Sequence, residues 1–154
     1  MKASYLLLSI SDLLLMVLTA GVGLMVGGHE GLFARHFLLG VLTALYTCFV
    51  HIVLFMYFVV QEKIVTQSIL HHALDAAYSP RVQAIKGRAL KLSALGIVSI
   101  LVTVGLGAAI GIAAGPTAHL VAAFAALLVN AVVFYLQYVL IVEYGGVSRA
   151  AFGE

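Results

Sequence analysis

Four apolar segments, each long enough to cross a lipid bilayer, leave this 154-residue chain few folds to choose from. They run from about Tyr5 to Val26, Phe33 to Val60, Leu92 to Ala114 and Ala118 to Val142. A helix rises about 1.5 Å per residue, so roughly 20 apolar residues cover a hydrocarbon layer about 30 Å thick. Composition points the same way. The chain is 64% hydrophobic and 9% charged, against about 45–50% and about 25% for soluble domains. The sequence predicts an all-α integral membrane protein with four transmembrane helices in a single domain covering residues 1–154.

Lys2 ahead of an apolar run resembles the start of a secretory signal. However, the run exceeds a typical signal core, Asp12 interrupts it, and no small-residue cleavage site follows. The segment is expected to stay as the first span. Cys48 is the one cysteine, so neither an intrachain disulfide nor a CxxC site exists. A net charge of +2 is too small for electrostatic binding of nucleic acid.

Lys and Arg fix an orientation. Lys2, Lys63, Arg81, Lys86, Arg88, Lys91 and Arg149 fall on one side of a four-span arrangement, and only Arg35 on the other. Basic residues favour the cytoplasmic side. Both termini are therefore expected in the cytoplasm of a cell with a bacterial-type inner membrane.

The second span carries its helical pattern past Val60. Gln61 to Ala77 holds no Gly or Pro, and apolar residues recur at Ile64, Val65, Ile69, Leu70 and Leu74. Ser79-Pro80 then reads as a helix start, Ser as cap and Pro in the first turn. A cytoplasmic helical hairpin over about residues 62–91 is predicted, with its tip near Tyr78-Ser79. Gly115-Pro116 marks the turn between spans three and four, with Thr117 as cap. Gly145-Gly146 is expected to end the fourth helix just after Glu143.

The two halves resemble each other. Thr19, Gly21, Gly23 and Gly27 recur 84 positions on as Thr103, Gly105, Gly107 and Gly111. His36 recurs as His119 after 83 positions, and Glu62 as Glu143 after 81. This suggests a 2+2 internal repeat of tandem hairpins, about residues 5–62 and 92–143, related by an axis along the membrane normal.

That repeat places His36 and His119 at the outer ends of two helices running in the same direction, at similar depth. Two opposed imidazoles at one depth can hold a b-type haem, each giving an axial nitrogen. The glycines of helices one and three would leave room for the porphyrin. Otherwise both histidines are interfacial anchors. His51 lies fifteen residues below His36, roughly 22 Å along the helix. Membrane cytochromes with two haems carry two histidines on each of two helices. Here helix four has none at the lower level, where Asn130 and Phe134 stand, so a second haem is not expected.

Asp12 is a carboxylate inside a span, at a cost of about 2.5–3.5 kcal/mol unless it has a partner. Counting inward from the cytoplasmic ends predicts an Asp12–His51 contact with Asn130 nearby. It would act either as a proton-handling or quinone-binding pair or as a clasp between helices. Glu62, Lys63 and Glu143 are expected to form salt bridges at the inner boundary. His71 and Asp75 are expected to share a helix face with His72 beside them, three ligand-type residues with no second cluster to complete a metal site. Aromatic residues Tyr46, Phe49, Phe55, Tyr57 and Phe58, with Phe134, Tyr135 and Tyr138, suit either interhelical packing or a flat ring.

No Ser/His/Asp triad, phosphate loop or dinucleotide fingerprint accompanies these features, so a self-contained hydrolase or transferase is not indicated. Three functions remain. One is a haem-binding electron-transfer module, linked to quinone or to a partner subunit of a larger membrane complex. The second is a cofactor-free accessory or scaffolding subunit that uses its glycine faces and basic hairpin. The third is a small channel or transporter, which with four spans would need to be a homo-oligomer.

Overall fold

A computed structural model describes residues 1–28, 31–71, 74–110, 112–113 and 115–153. Four helices account for nearly all of them: α1 (Lys2–Met25), α2 (Leu32–His71), α3 (Tyr78–Ala108) and α4 (Pro116–Phe152), with a 3-10 turn at Val26–Gly28 after α1. All four are long and apolar enough to cross a membrane. They run alternately up and down in a ring, α1 against α2, α2 against α3, α3 against α4, and α4 back against α1. The start of α1, the end of α2, the start of α3 and the end of α4 therefore meet at one end. That end carries every Lys and Arg except Arg35.

The polarity of the bundle is inverted relative to a water-soluble one. Ser9, Asp12, Thr43, Thr47, His51, Ser93, Thr103, Asn130 and Gln137 are buried. Leu7, Leu14, Phe33, Leu38, Leu45, Leu70 and Leu128 are among the large apolar side chains left exposed. In α1 only Tyr5, Ser9, Asp12 and Met16 are buried, one stripe at steps of four, three and four residues. Positions 84 further on are the buried Ala89, Ser93, Gly96 and Ile100 of α3. In α2, Thr43, Thr47, Val50, His51, Leu54 and Phe58 are buried, and 83 further on so are Ala126, Asn130, Val133, Phe134, Gln137 and Ile141 of α4. Glu62 and Glu143 lie two positions off that register, yet both reach α3. Glu62 pairs with Lys86 at 2.8 Å and Glu143 with Arg88 at 2.6 Å. Lys63, expected in the same boundary network, belongs to neither pair.

The core is uneven. The basic half holds a large cluster that includes Tyr5, Leu54, Phe58, Val65, Val82, Ile85, Phe134, Ile141 and Tyr144. Beyond the polar level of Asp12, Thr47 and Asn130, the buried apolar cluster shrinks to Met16, Ala44, Ile100 and Ala126.

Several local expectations are corrected. The helix after Val60 continues as predicted but ends at His71, not Ala77. The described residues 74–77 are non-helical, so the break lies ahead of the expected tip near Tyr78-Ser79. α3 begins at Tyr78 with Ala77 as cap residue, and Ser79-Pro80 sits within its first turn. The Asp75 carboxylate explains the earlier start: it accepts the Ala77 N–H at 2.8 Å and so organises the turn. Asp75 therefore does not share a helix face with His71, and His72 lies outside the described residues. α4 is capped by Gly115 with Pro116 in its first turn, and Thr117 makes no side-chain cap bond. Gly145-Gly146 does not stop α4. The helix runs to Phe152, with Gly153 in the left-handed conformation (φ 72°) that ends it. Each mid-helix glycine costs about 1 kcal/mol relative to alanine, but Tyr144 and Val147 pack into the large core cluster and hold the segment helical. The predicted hairpin is thus flanked by α4, whose Ala150 carbonyl accepts the Tyr78 hydroxyl at 3.0 Å.

Candidate functional site

His36 lies in the first turns of α2 and His119 in the first turn of α4, so parallel helices bring both to the end opposite the basic one. Across the ring their imidazoles meet, centroids 5.9 Å apart and planes at 74°. Each is fixed in the same way. Nδ1 of His36 lies 3.2 Å from the Thr19 carbonyl of α1, and Nδ1 of His119 lies 3.0 Å from the Thr103 carbonyl of α3. A carbonyl only accepts, so in both rings Nδ1 carries the proton. In the neutral imidazole this leaves Nε2 as the lone-pair nitrogen. A hydrogen bond from one ring nitrogen to a backbone carbonyl is how metal-binding histidines are commonly oriented.

Glycine makes the approach possible. A Cβ on Gly23 would lie 2.7 Å from Cε1 of His36, and one on Gly107 would lie 2.9 Å from Cε1 of His119. Neither contact is tolerable, so both rings rest on bare backbone. The small-residue spacing of α1 and α3 thus admits an imidazole, in addition to any helix it lets approach. The hydroxyls of Thr19 and Thr43 bond each other at 2.6 Å and tie α1 to α2 just below His36. On the other side the Thr103 hydroxyl donates to the Ala122 carbonyl at 3.1 Å and ties α3 to α4. The two carbonyl anchors were not legible beforehand, because a threonine marks its side chain in a sequence and not its backbone oxygen.

The inner level is built differently. His51 is fully buried and both its nitrogens are committed. Nε2 donates to Asn130 Oδ1 at 2.8 Å, and Nδ1 accepts from Gln137 Nε2 at 3.2 Å. Gln137 also donates to Ser93 Oγ at 3.0 Å and accepts the Tyr5 hydroxyl at 2.9 Å. Asn130 donates to Ser99 Oγ at 3.0 Å. Phe134 stacks on the imidazole, centroids 4.9 Å apart at 22°. Gly96 leaves room on the other side, where a Cβ would overlap the ring and crowd Asn130 Oδ1. His51 is therefore a neutral member of a satisfied network spanning all four helices, with no nitrogen free for a metal.

Asp12 and His51, expected in contact, share no hydrogen bond, and it is Asn130 that bonds His51. Asp12 accepts instead from Thr47 Oγ1 at 2.9 Å, one helical turn from His51. Its second oxygen, Oδ2, is buried without a hydrogen-bond partner among the described residues, and Asp12 as a whole has no exposed surface. Gln137, Ser93 and Tyr5 went unremarked in the sequence. The available signal was a glutamine within an apolar span, a side chain that lipid would not solvate.

Among the described residues no three His, Cys, Asp or Glu side chains converge as a metal site. The two-histidine pair is a different donor set, one suited to an ion whose other ligands come from a macrocycle. The chain matches no protein-family profile, no curated protein and no solved structure.

Proposed function

We propose that the four helices cross a bilayer as a tandem 2+2 repeat, and that the bundle holds one b-type haem between His36 and His119 as an electron-transfer module linked to quinone or a partner subunit. The observation that carries this reading is the matched anchoring of the two imidazoles. Each donates Nδ1–H to a threonine carbonyl and rests on a glycine, and each keeps Nε2 as lone-pair nitrogen. His36 and His119, whose ring centroids stand 5.9 Å apart across the bundle, are the residues that would hold the iron. The fit extends to the surroundings. Gly40 is half-buried with open space where a Cβ would be, and the nearest buried apolar cluster is the smaller of the two. When bound, the haem would supply one-electron redox chemistry. The protein's part is to fix both imidazoles and exclude water.

Membrane insertion is supported by the inverted polarity, with exposed leucines outside and hydrogen-bonded polar groups inside. The cytoplasmic placement of both termini rests on the gathering of seven cations at one end. The repeat is supported by the shared register of buried positions in α1 and α3 and in α2 and α4.

The close meeting of the rings, with planes at 74°, also favours a second reading. As an aromatic clasp it would lock α2 to α4 in a cofactor-free accessory subunit. An absorption spectrum of the purified protein separates the two. The haem reading predicts a Soret band and a sharp reduced α band, both lost in His36→Ala and His119→Ala. A transparent protein, reconstituted with haem and still transparent, leaves the accessory reading.

A further inference from the structure

We infer that Asp12 is a proton-binding site coupled to the redox state of the haem, taking up one proton when the iron gains one electron. The inference rests on the haem reading above. Asp12 is the one Asp, Glu, Lys or Arg in the interior stretches of α1 after Lys2, α2 from His36 to Val60, α3 from Leu92 and α4 as far as Val142. It is fully buried, with Thr47 as its one hydrogen-bond donor among the described residues, which give Oδ2 no partner.

The groups around it define what it can answer to. Tyr5 shares the buried stripe of α1. α2 brings Thr47, with Tyr46 and Cys48 beside it and His51 one turn on, its nitrogens taken by Asn130 and Gln137. α4, the other neighbour of α1, brings Asn130, Phe134 and Gln137 to the same interior. None of these is a cation, so no fixed positive charge balances a carboxylate here.

The missing charge is the one a haem provides. The iron–porphyrin core, its propionates apart, carries one positive unit when ferric and held by two neutral imidazoles, and none when ferrous. Asp12 lies seven residues along α1 from Thr19, whose carbonyl anchors His36, or roughly 10 Å of helix. At that range, away from water, the interaction is weakly screened. With the iron oxidised, the Asp12 carboxylate offsets the ferric charge. A hydroquinone, or dithionite in the test, gives one electron and the iron becomes ferrous. The carboxylate then has no counter-charge, and Oδ2 takes a proton from solvent to form the carboxylic acid. Reoxidation releases that proton. One electron and one proton enter and leave together, and the buried interior stays neutral throughout.

Equilibrium redox titration of the purified holoprotein from about pH 5 to about pH 9 tests this. The expected wild-type midpoint potential falls by up to about 59 mV per pH unit over part of that range. In Asp12→Asn the Soret band persists and that slope is lost. Asp12→Glu restores it. Thr47→Val, which keeps the carboxyl but removes its donor, shifts the sloping region to higher pH. Redox-difference infrared spectra show a carboxyl carbonyl band on reduction that is missing in Asp12→Asn. A slope that survives Asp12→Asn unchanged, as propionates alone would give, overturns the inference. So does a flat wild-type profile beside an intact Soret band. A wild-type protein that binds no haem removes the haem reading, and this inference with it.

Discussion

At the scale of single residues, three glycines are fixed by the imidazoles they face. Gly23 and Gly107 each carry one outer histidine, and Gly96 carries His51. A methyl group at any of them must push a ring that is hydrogen-bonded elsewhere, and overpacking of this kind costs about 1–3 kcal/mol. Gly23→Ala and Gly107→Ala are expected to lower haem content as well as thermal stability in detergent. Gly96→Ala should lower stability alone. Equal haem loss in all three would mean that the inner and outer levels are not separate. His51→Ala leaves Asn130 Oδ1 and Gln137 Nε2 each short of a partner, at about 1–3 kcal/mol, and should leave the haem spectrum unchanged. Much of the outer pair was legible in the sequence, since His36 and His119 recur in matched apolar contexts. The partner of Asp12 was not. Counting residues from a helix end fixes depth but not rotation about the axis, and one turn separates Thr47, which hydrogen-bonds Asp12, from His51, which does not.

At the scale of elements, existence was easier to read than termination. Each apolar run became a helix, because long apolar segments leave the backbone no alternative partners. Helix ends depended on contacts that local sequence does not display. The Asp75 carboxylate starts α3 early, and Tyr144 carries α4 across two glycines. If α4 is helical there, Gly146→Ala should stabilise the protein by up to about 1 kcal/mol, as nothing stands where its Cβ would go. Thermal unfolding in detergent measures this. Destabilisation would indicate that the helix ends at the glycines, as local sequence suggests. The hairpin is therefore better described as part of a three-helix extension of α2, α3 and α4, tied by Lys86–Glu62, Arg88–Glu143 and the Tyr144 hydroxyl on Gln61 Oε1 at 2.8 Å.

At the scale of the whole molecule, polarity organises everything. The basic end is packed with aromatic and aliphatic side chains, the middle is a hydrogen-bonded level, and the far end is lined by glycine, threonine and two histidines. The proposed membrane topology rests on the cations and is tested directly: single cysteines at Arg35 and Arg149, in a Cys48→Ala background, should be labelled from opposite sides of sealed vesicles by an impermeant maleimide. Labelling from one side would overturn the four-span arrangement. The central claim is that His36 and His119, and not His51, hold the haem. The most direct measurement is the haem-to-chain ratio of wild type, His36→Ala, His119→Ala and His51→Ala, purified side by side. The account predicts about one haem per chain in the wild type and in His51→Ala and essentially none in the other two. A ratio that is unchanged in His36→Ala or His119→Ala, or that falls only in His51→Ala, would contradict it.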